Sequence, residues 1–276
     1  MRPFHAVGDL IRAAGLPRSV YYYWAKASTA PQRHATAKQL IAQVYHQHQG
    51  RYGYRRITLA LQALGCALNH KTVYKLMGVM QLKSTVRPKR YQSYRGAVGQ
   101  AAANTLNREF AATRPNQKWV TDVTEFKVQG QRVYLSPILD LYNQEIVSYQ
   151  IAQRPQLPLV MEMLKHGLQR LRRGETPLLH SDQGWQYRMP AYRQALAQQG
   201  LVQSMSRKGN CLDNAVIENF FGILKTEFFH RQKFESVAAF ISGLHEYIRY
   251  YNHDRIKQKL KGLSPVQYRT QSYLPA

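Results

Sequence analysis

Apolar positions along the chain change their period near residue 117. Before that point, apolar residues recur at helical spacing in VGDLIRAAGLPRSVYYYW and again in RYGYRRITLALQALGCALNHKTVYKLMGVMQL. Glycine interrupts both segments, which predicts two pairs of helices joined by Gly-containing turns. In the second pair, Gly65 is predicted to end one helix and Asn69 to cap the next. The pattern is typical of a helix-turn-helix, and an ordinary helical hairpin with a basic surface is the alternative.

From residue 117 the pattern is that of an α/β protein. Three segments rich in Val, Ile, Tyr and Phe predict antiparallel strands, at 119–128, 131–142 and 145–152. Later segments predict strands at 176–182 and 201–206, and helices at 157–173, 190–200, 213–229 and 236–253. This order predicts a mixed five-stranded sheet with flanking helices, the layout of a ribonuclease-H-like core. The predicted class is α/β, preceded by a small all-α helix-turn-helix region.

The net charge of the chain indicates what kind of partner the protein binds. The 276 residues carry 39 Lys and Arg against 15 Asp and Glu, a formal net charge of +24. An isoelectric point near 10.2 points to nucleic acid. No apolar run is long enough to span a bilayer, no signal-like segment opens the chain, and its two cysteines stand apart. We therefore expect a cytoplasmic, nucleoid-associated protein with reduced thiols.

The excess charge is concentrated before the α/β part. Residues 1–116 hold 18 Lys and Arg but only Asp9 and Glu109, a net charge of +16, whereas residues 117–276 carry +8. This split predicts a nucleic-acid-binding N-terminal part and a catalytic C-terminal part. Between them, residues 83–116 mix basic residues with Tyr, Pro, Gly and Ala. This composition predicts an arm that follows a phosphate backbone, and a solvated flexible linker is the alternative.

Three of the few acids lie in settings suited to metal ions. Asp122 lies within an apolar strand, on the same face as Thr124, and Asp182 lies at the C-terminal end of its strand. The two aspartates meet if these strands are neighbours. Glu218 lies at the margin of the apolar stripe of its helix. Carboxylates that converge need a counter-charge, and divalent metal acting on a phosphodiester supplies one.

Other residues near the acids have competing interpretations. Strand-edge, turn and helix-dipole roles are the structural alternatives for the three acids. Glu125 is an alternative neighbour for a metal, but it is predicted to face away from Asp122. A structural role is predicted for His180, and turn and helix-cap roles for Asp140 and Asp213. Lys225, two helical turns beyond Glu218, is placed to contact a phosphate, and an ordinary surface lysine is the alternative.

These segments resemble the DDE transposases of bacterial insertion sequences, in particular the second-reading-frame (OrfB) product with a retroviral-integrase-like core. The matching segments are WVTDVTEF, LLHSDQGWQY, SRKGNCLDNAVIENFFGILKTE and YYNHDRIKQKLKGLSPVQYR. Thirty-five residues separate Asp182 from Glu218, which is the spacing in that family. RYGYRRI and NHKTVYKLM resemble the family's helix-turn-helix, so the resemblance covers about residues 4–270.

The resemblance implies roles for particular residues. Asp122, Asp182 and Glu218 are the implied catalytic triad and the ligands of two Mg²⁺ ions, with Mn²⁺ as a substitute. DNA contacts are predicted at Arg51, Tyr52, Arg55, Arg56, Lys71, Lys75, Arg207, Lys208 and Lys225. The implied partners are double-stranded DNA, both element ends and target, and further copies of the chain. A protein or fusion segment from an upstream reading frame is a further predicted partner.

The implied organisation has five parts. They are an N-terminal helical DNA-binding region at 1–48, an integrase-type helix-turn-helix at 49–95, a basic linker at 96–116, the catalytic core at 117–232 and a C-terminal helical extension at 233–276. Two residues depart from the family pattern, Leu212 in place of Trp and Trp185 in place of a small polar residue.

The resemblance implies a reaction and leaves rival functions. The family nicks the 3′ ends of its element, whose terminal inverted repeats it binds, and transfers them to a new strand. The runner-up is a DNA-binding regulator with the same fold and no activity. A tyrosine recombinase and a non-specific nuclease are further alternatives.

Overall fold

The computed structural model describes residues 6–29, 34–86, 102–207 and 211–271. Lys208, together with Gly209 and Asn210, lies outside the described residues, as do residues 87–101 of the basic segment. The chain divides into two compact units, one before Ser84 and one from Ser84 onward. Within the described ranges, no helix combines the length and apolar character that crossing a membrane requires.

The first unit is helical. Its described helices are α1 (Val7–Ala13), α2 (Arg18–Thr29), α3 (Ala35–Gln47), α4 (Tyr54–Ala63) and α5 (His70–Val79). Helices α3, α4 and α5 pack around fully buried Ile41, Ile57 and Val73. Asn69 Oδ1 accepts the Lys71 N–H at 2.9 Å, which confirms the predicted cap, and Gly65 takes the left-handed turn after α4 with φ of 78°.

The second unit contains a mixed sheet. Its strands are β1 (Lys118–Thr121), β2 (Thr124–Val128), β3 (Gln131–Asp140), β4 (Ile146–Ala152), β5 (Leu178–Ser181) and β6 (Val202–Met205). One edge of β3 pairs antiparallel with β4, and its other edge with β2 and then β1. Strands β1, β5 and β6 run parallel side by side. The predicted α/β class and the ribonuclease-H-like strand arrangement are confirmed.

The predicted five strands appear as six because the first one is interrupted. β1 and β2 share one register against β3, from Thr121 opposite Ile138 to Thr124 opposite Leu135. Continuing that register places Asp122 opposite Pro137, which has no N–H to donate to a neighbouring strand. The interruption of the hydrogen-bonded ladder therefore falls at Asp122, and β1 and β2 occupy one position in the sheet.

Helices cover both faces of the sheet. Their bounds are α6 (Leu157–Leu168), α7 (Trp185–Arg188), α8 (Pro190–Gln198), α9 (Ala215–Glu227), α10 (Val237–His253) and α11 (Pro265–Gln271). Helices α9 and α10 bury apolar side chains such as Phe220, Leu224 and Phe240 against one face. Helices α6 and α8 cover the other face through Val160, Met163 and Leu196. The short helices α7 and α11 were not predicted from the periodicity, because each is two turns or less.

Residues 102–116, part of the predicted basic linker, pack against this sheet. Leu106 is buried in the core beneath α9 and α10, and its N–H donates to Ser204 Oγ at 3.0 Å. Ala103 O accepts the N–H of Met205 at 3.3 Å. These residues extend the larger unit beside β6 and are an integral part of it, which a free linker would not be.

Candidate active site

Strand register places two of the three predicted acids side by side. β1 and β5 pair in parallel, with Val120 opposite His180. Continuing that register by two residues brings Asp122 level with Asp182, just beyond the hydrogen-bonded part of both strands. Both side chains are half-buried. The expectation that the two strands are neighbours is confirmed, and this pairing is what joins acids that are 60 positions apart in the sequence.

Each aspartate has one carboxylate oxygen fixed by the backbone. The Val123 N–H donates to Asp122 Oδ1 at 2.7 Å, and the Gly184 N–H donates to Asp182 Oδ1 at 2.8 Å. Among the described residues, no other hydrogen bond reaches either carboxylate. Each aspartate therefore keeps Oδ2 available for a ligand while its orientation is held locally.

Gly184 lies closer to the Asp182 carboxylate than a larger residue could. A Cβ at this position would lie 2.9 Å from Asp182 Oδ1, 3.2 Å from Gln186 Oε1 and 3.3 Å from Tyr187 Cδ2. The first distance is shorter than real Cβ contacts, so a side chain here would displace the carboxylate. Glycine at position 184 thus allows the Asp182 carboxylate to accept the backbone N–H two residues further on.

Both aspartates are electrostatically strained as anions. Burial raises the pKa of Asp122 well above its usual value, and the neighbouring charges of Asp182 and Glu218 raise it further. Burial also raises the pKa of Asp182, although the Gly184 N–H and the charge of Arg188 act against the rise. The pair therefore favours a bound cation or a shared proton.

The third predicted acid approaches from the covering helix. Glu218 lies in the first turn of α9, half-buried and near enough to raise the pKa of Asp122. Within the part of the chain that the structure describes, no three His, Cys, Asp or Glu side chains are grouped closely enough to hold a metal ion. The structure thus brings the two aspartates together across β1 and β5, and Glu218 acts on Asp122 through its charge.

Lys225 lies beside the same site. Its ammonium group is 5.5 Å from the centre of the Phe126 ring, and the side chain is half-buried. Burial lowers the pKa of Lys225, whereas the charges of Asp122 and Glu125 oppose that shift. A lysine held near an aspartate pair can contact a phosphate that approaches the same carboxylates.

Asp213 organises the segment before α9 through its arginine partners, and the helix-cap role predicted for it is wrong because Asn214 stands at the N-cap of α9. Its fully buried carboxylate accepts bonds from Arg207 Nε at 3.0 Å and Arg108 Nε at 2.8 Å. Asn104 Nδ2 also donates to it, at 2.8 Å. The Arg207 hydrogen bonds hold the pKa of Asp213 well below its usual value. Arg207, a predicted DNA contact, therefore uses part of its guanidinium to anchor this loop, although half of its side chain is exposed.

The remaining acids and His180 have structural partners. His180 is fully buried between Ser204 Oγ at 2.8 Å and Ser206 Oγ at 3.1 Å, and burial lowers its pKa to about 4. Asp140 accepts backbone N–H groups at the turn after β3. Glu125 is exposed, 3.6 Å from Arg132. The structural role predicted for His180 and the turn role predicted for Asp140 are thus observed.

The predicted DNA contacts of the first unit differ in exposure. Arg55, Lys71 and Lys75 are exposed, and Arg51 and Arg56 are partly exposed. Tyr52 is fully buried, with its ring stacked 3.8 Å from His48 and the Arg56 guanidinium 5.4 Å from the ring centre. A buried ring offers no surface to DNA, so Tyr52 belongs to the packing of this unit.

The two departures from the family pattern lie on the surface. Trp185 is 48% exposed and follows Gly184, whose N–H donates to Asp182. Leu212 is 54% exposed and precedes Asp213. Both are large apolar side chains presented to solvent beside site segments.

Known proteins resemble this chain over its whole length. The integrase core domain family matches residues 112–211, a second integrase core domain family matches 218–273, and the HTH-like domain family matches 32–90. The protein named InsK of insertion sequence element IS150 from Escherichia coli (strain K12) is 52% identical over 275 residues, covering 100% of this chain and 97% of the relative.

More distant relatives agree. The transposase for IS904 from Lactococcus lactis subsp. lactis (strain IL1403) is 35% identical, covering 83% of this chain and 91% of the relative. A chain of the simian T-cell lymphotropic virus intasome, solved in complex with a PP2A regulatory subunit, covers 86% of this chain and 76% of that one, with 17% identity and a TM-score of 0.51, a likeness of fold. The chain matches an integrase core and a helix-turn-helix-like domain, and it is similar to such relatives over its full length. It therefore belongs to the bacterial insertion-sequence DDE transposases of the OrfB type.

Proposed function

We propose that this transposase cuts and joins DNA with divalent metal bound at Asp122 and Asp182 and completed by Glu218. The observation that carries the proposal is the aspartate pair, level across two parallel strands, with each Oδ1 fixed and each Oδ2 available. Hard oxygen ligands of this kind suit Mg²⁺, with Mn²⁺ as a substitute. Two bound ions would activate the attacking oxygen and stabilise the leaving oxygen of a phosphodiester.

The residues around the pair support the same chemistry. The raised pKa values of Asp122 and Asp182 mean that a cation relieves charge that the fold has already brought together. Lys225, whose charge interacts with that of Asp122, would contact the substrate phosphate. The backbone bonds to both aspartates hold the carboxylates in place before substrate arrives, which reduces the reorganisation needed during the reaction.

The proposed reaction has two balanced steps at the element ends. Water first attacks a phosphorus atom, one P–O bond breaks, and the element strand is left with a 3′-hydroxyl. That hydroxyl oxygen then attacks a phosphorus of target DNA, forms a new P–O bond and releases a target 3′-hydroxyl. We propose that copies of the chain act together on two terminal inverted repeats, with an upstream-frame protein or fusion segment as a further partner.

The central test is strand transfer on DNA that carries the element ends. Glu218→Gln should lose joining activity, and Glu162→Gln, an exposed glutamate on α6, should retain it. Joining by Glu218→Gln at the wild-type rate contradicts the proposal.

A second test measures metal binding without catalysis. Mn²⁺ at about 100 times its dissociation constant should stabilise the wild-type chain by about 2.7 kcal/mol in thermal unfolding. Asp122→Asn should show little of this stabilisation. Equal stabilisation of both proteins would place the metal elsewhere.

A regulator that binds element ends without cutting them is the second candidate. It is favoured by one observation: among the described residues, no three His, Cys, Asp or Glu side chains are grouped closely enough to hold a metal ion. The regulator predicts binding to end DNA with no joining in Mg²⁺ or Mn²⁺. Joining by the wild-type chain excludes it.

A further inference from the structure

The exposed side of α5 carries two parallel columns of different chemistry. Residues four apart on a helix lie one above the other. His70 and Tyr74 form one column, both exposed, and Lys71 and Lys75 form the adjacent column, also exposed. Tyr74 is 64% exposed, so this side of α5 presents a large aromatic ring to solvent.

The aromatic column is extended by a residue from α4. The Tyr54 ring lies 5.3 Å from Tyr74 in an edge-to-face arrangement and 6.2 Å from His70 in a stacked one. Arg55 Nε donates to Tyr54 Oη at 3.1 Å. These contacts hold the three rings as one ordered surface, and a cation lies at its border.

The same column ends at a glycine with open space around it. Gly78 lies one turn beyond Tyr74, and a Cβ added there would meet no atom within 4 Å. Glycine within a helix costs about 1 kcal/mol relative to alanine, and no internal packing requires it here. A bare helix backbone beside exposed rings suits a ligand that approaches closely.

We propose that His70, Tyr74 and Tyr54 read the base edges of duplex DNA in the major groove and determine which sequence is bound, while Lys71 and Lys75 contact phosphates. The positive charge of this unit favours DNA as the ligand, because residues 1–83 carry 12 Lys and Arg and a single acid, Asp9. The second helix of a helix-turn-helix offers its N-terminal half to base edges, and His70 opens α5. Ring faces and methyl groups pack together, and the ring hydroxyls and nitrogens can bond to base edges.

The proposal rests on the function proposed above only in taking DNA as the ligand. Its test is a selection from random duplexes of about 20 base pairs, two helical turns, using the full chain in EDTA. No cutting occurs under these conditions, so a chain that fails in strand transfer still reveals its preferred sequence.

Tyr74→Ala and His70→Ala should each lose preference at one or more positions of the selected sequence. Their affinity for the wild-type sequence should fall about tenfold. Val79→Ala, 73% exposed on the same helix, is the matched control and should select the wild-type sequence. Lys71→Gln should select the wild-type sequence too, with weaker binding to all duplexes and a salt slope smaller by about one.

Gly78→Ala probes the close approach. It should weaken binding several-fold without lowering the melting temperature, whereas Gly222→Ala, also in open space on a helix, should bind normally.

Three results overturn the proposal. They are an unchanged selected sequence in Tyr74→Ala, no sequence preference in the wild-type chain, and a Tyr74→Ala defect confined to single-stranded DNA, which would indicate stacking on unpaired bases.

Discussion

Two groups of acids in the second unit, one buried and one half-buried, differ in their hydrogen-bond partners. Asp213, Glu145 and Glu227 are each bonded to at least one arginine, as in the 2.7 Å bonds from Arg255 to Glu227. Asp122 and Asp182 accept only backbone N–H groups among the described residues. No arginine donates a hydrogen bond to Asp122 or Asp182 among the described residues, although the chain carries 39 Lys and Arg.

The difference separates acids that hold the fold from acids that are available for chemistry. The Arg207 hydrogen bonds lower the pKa of Asp213, whereas burial and mutual repulsion raise the pKa of Asp122. A compensated carboxylate has its oxygens occupied and contributes to structure. A carboxylate pair with raised pKa values and no bonded cation favours the binding of a metal cation, and such shifts are common at functional sites.

The sharpest test of this contrast is Asp122→Asn. Strand transfer should fall by roughly 10⁴-fold, about 5.5 kcal/mol of transition-state stabilisation. The free energy of unfolding should not fall, because a buried uncompensated charge is removed. Parallel joining assays and chemical denaturation measure the two effects. A variant that is both active and destabilised would place Asp122 among the structural acids.

Glu227→Gln should give the reverse result. Glu227 and Arg255 are each 2% exposed in their side chains, so the change leaves a buried guanidinium without its anion. We expect a loss of about 3–5 kcal/mol in the free energy of unfolding.

The control for Glu227→Gln is Glu162→Gln, whose exposed pair with Lys165 should be worth less than about 1 kcal/mol. Equal melting temperatures for the two variants would contradict the structural assignment of Glu227.

The raised pKa of Asp140 should make the stability of the protein depend on pH. Asp140 is buried and accepts the backbone N–H groups of Asn116 and Tyr142, and burial raises its pKa to about 6. Between its ordinary pKa near 4 and 6, the folded state binds more protons than the unfolded state. Asp140 should therefore lower stability by about 3 kcal/mol as pH rises through this window.

Asp140→Asn should lack that pH-dependent loss. The difference in unfolding free energy between variant and wild type, measured by urea titration from pH 4 to 7, should move by about 3 kcal/mol in favour of the variant. A difference that stays constant over this range would show that the carboxyl titrates normally in the fold.

Gly184→Ala tests whether backbone geometry positions Asp182. The added Cβ would lie 2.9 Å from Oδ1, so the carboxylate must shift, and strand transfer should fall roughly 10–100-fold. Gly222→Ala on α9, where a Cβ meets no atom within 4 Å, is the matched control and should keep full activity. Equal rates for the two variants would remove Gly184 from the site.

Local patterns predicted much of this fold. Alternation in 119–128 and helical spacing in 236–253 depend on neighbouring residues, and both elements appear in the structure, as β1 with β2 and as α10. The Asn69 cap was predictable for the same reason, since its donor is two residues away. The triad was predicted from motif resemblance, and the interruption at Asp122 was not, because it depends on Pro137 in another strand.

Contiguous residues were enough to predict the order of elements, the basic N-terminal part and the candidate acids, because periodicity, composition and motifs are local properties of a chain. Which acids accept hydrogen bonds from arginine depends on the tertiary structure. Arg108 reaches Asp213 across 105 positions, and Arg269 reaches Glu145 across 124. The tertiary structure also buried Tyr52 and exposed Tyr74. Such outcomes depend on how strands and helices pack together, and packing brings together residues whose separation in the sequence carries no signal of contact.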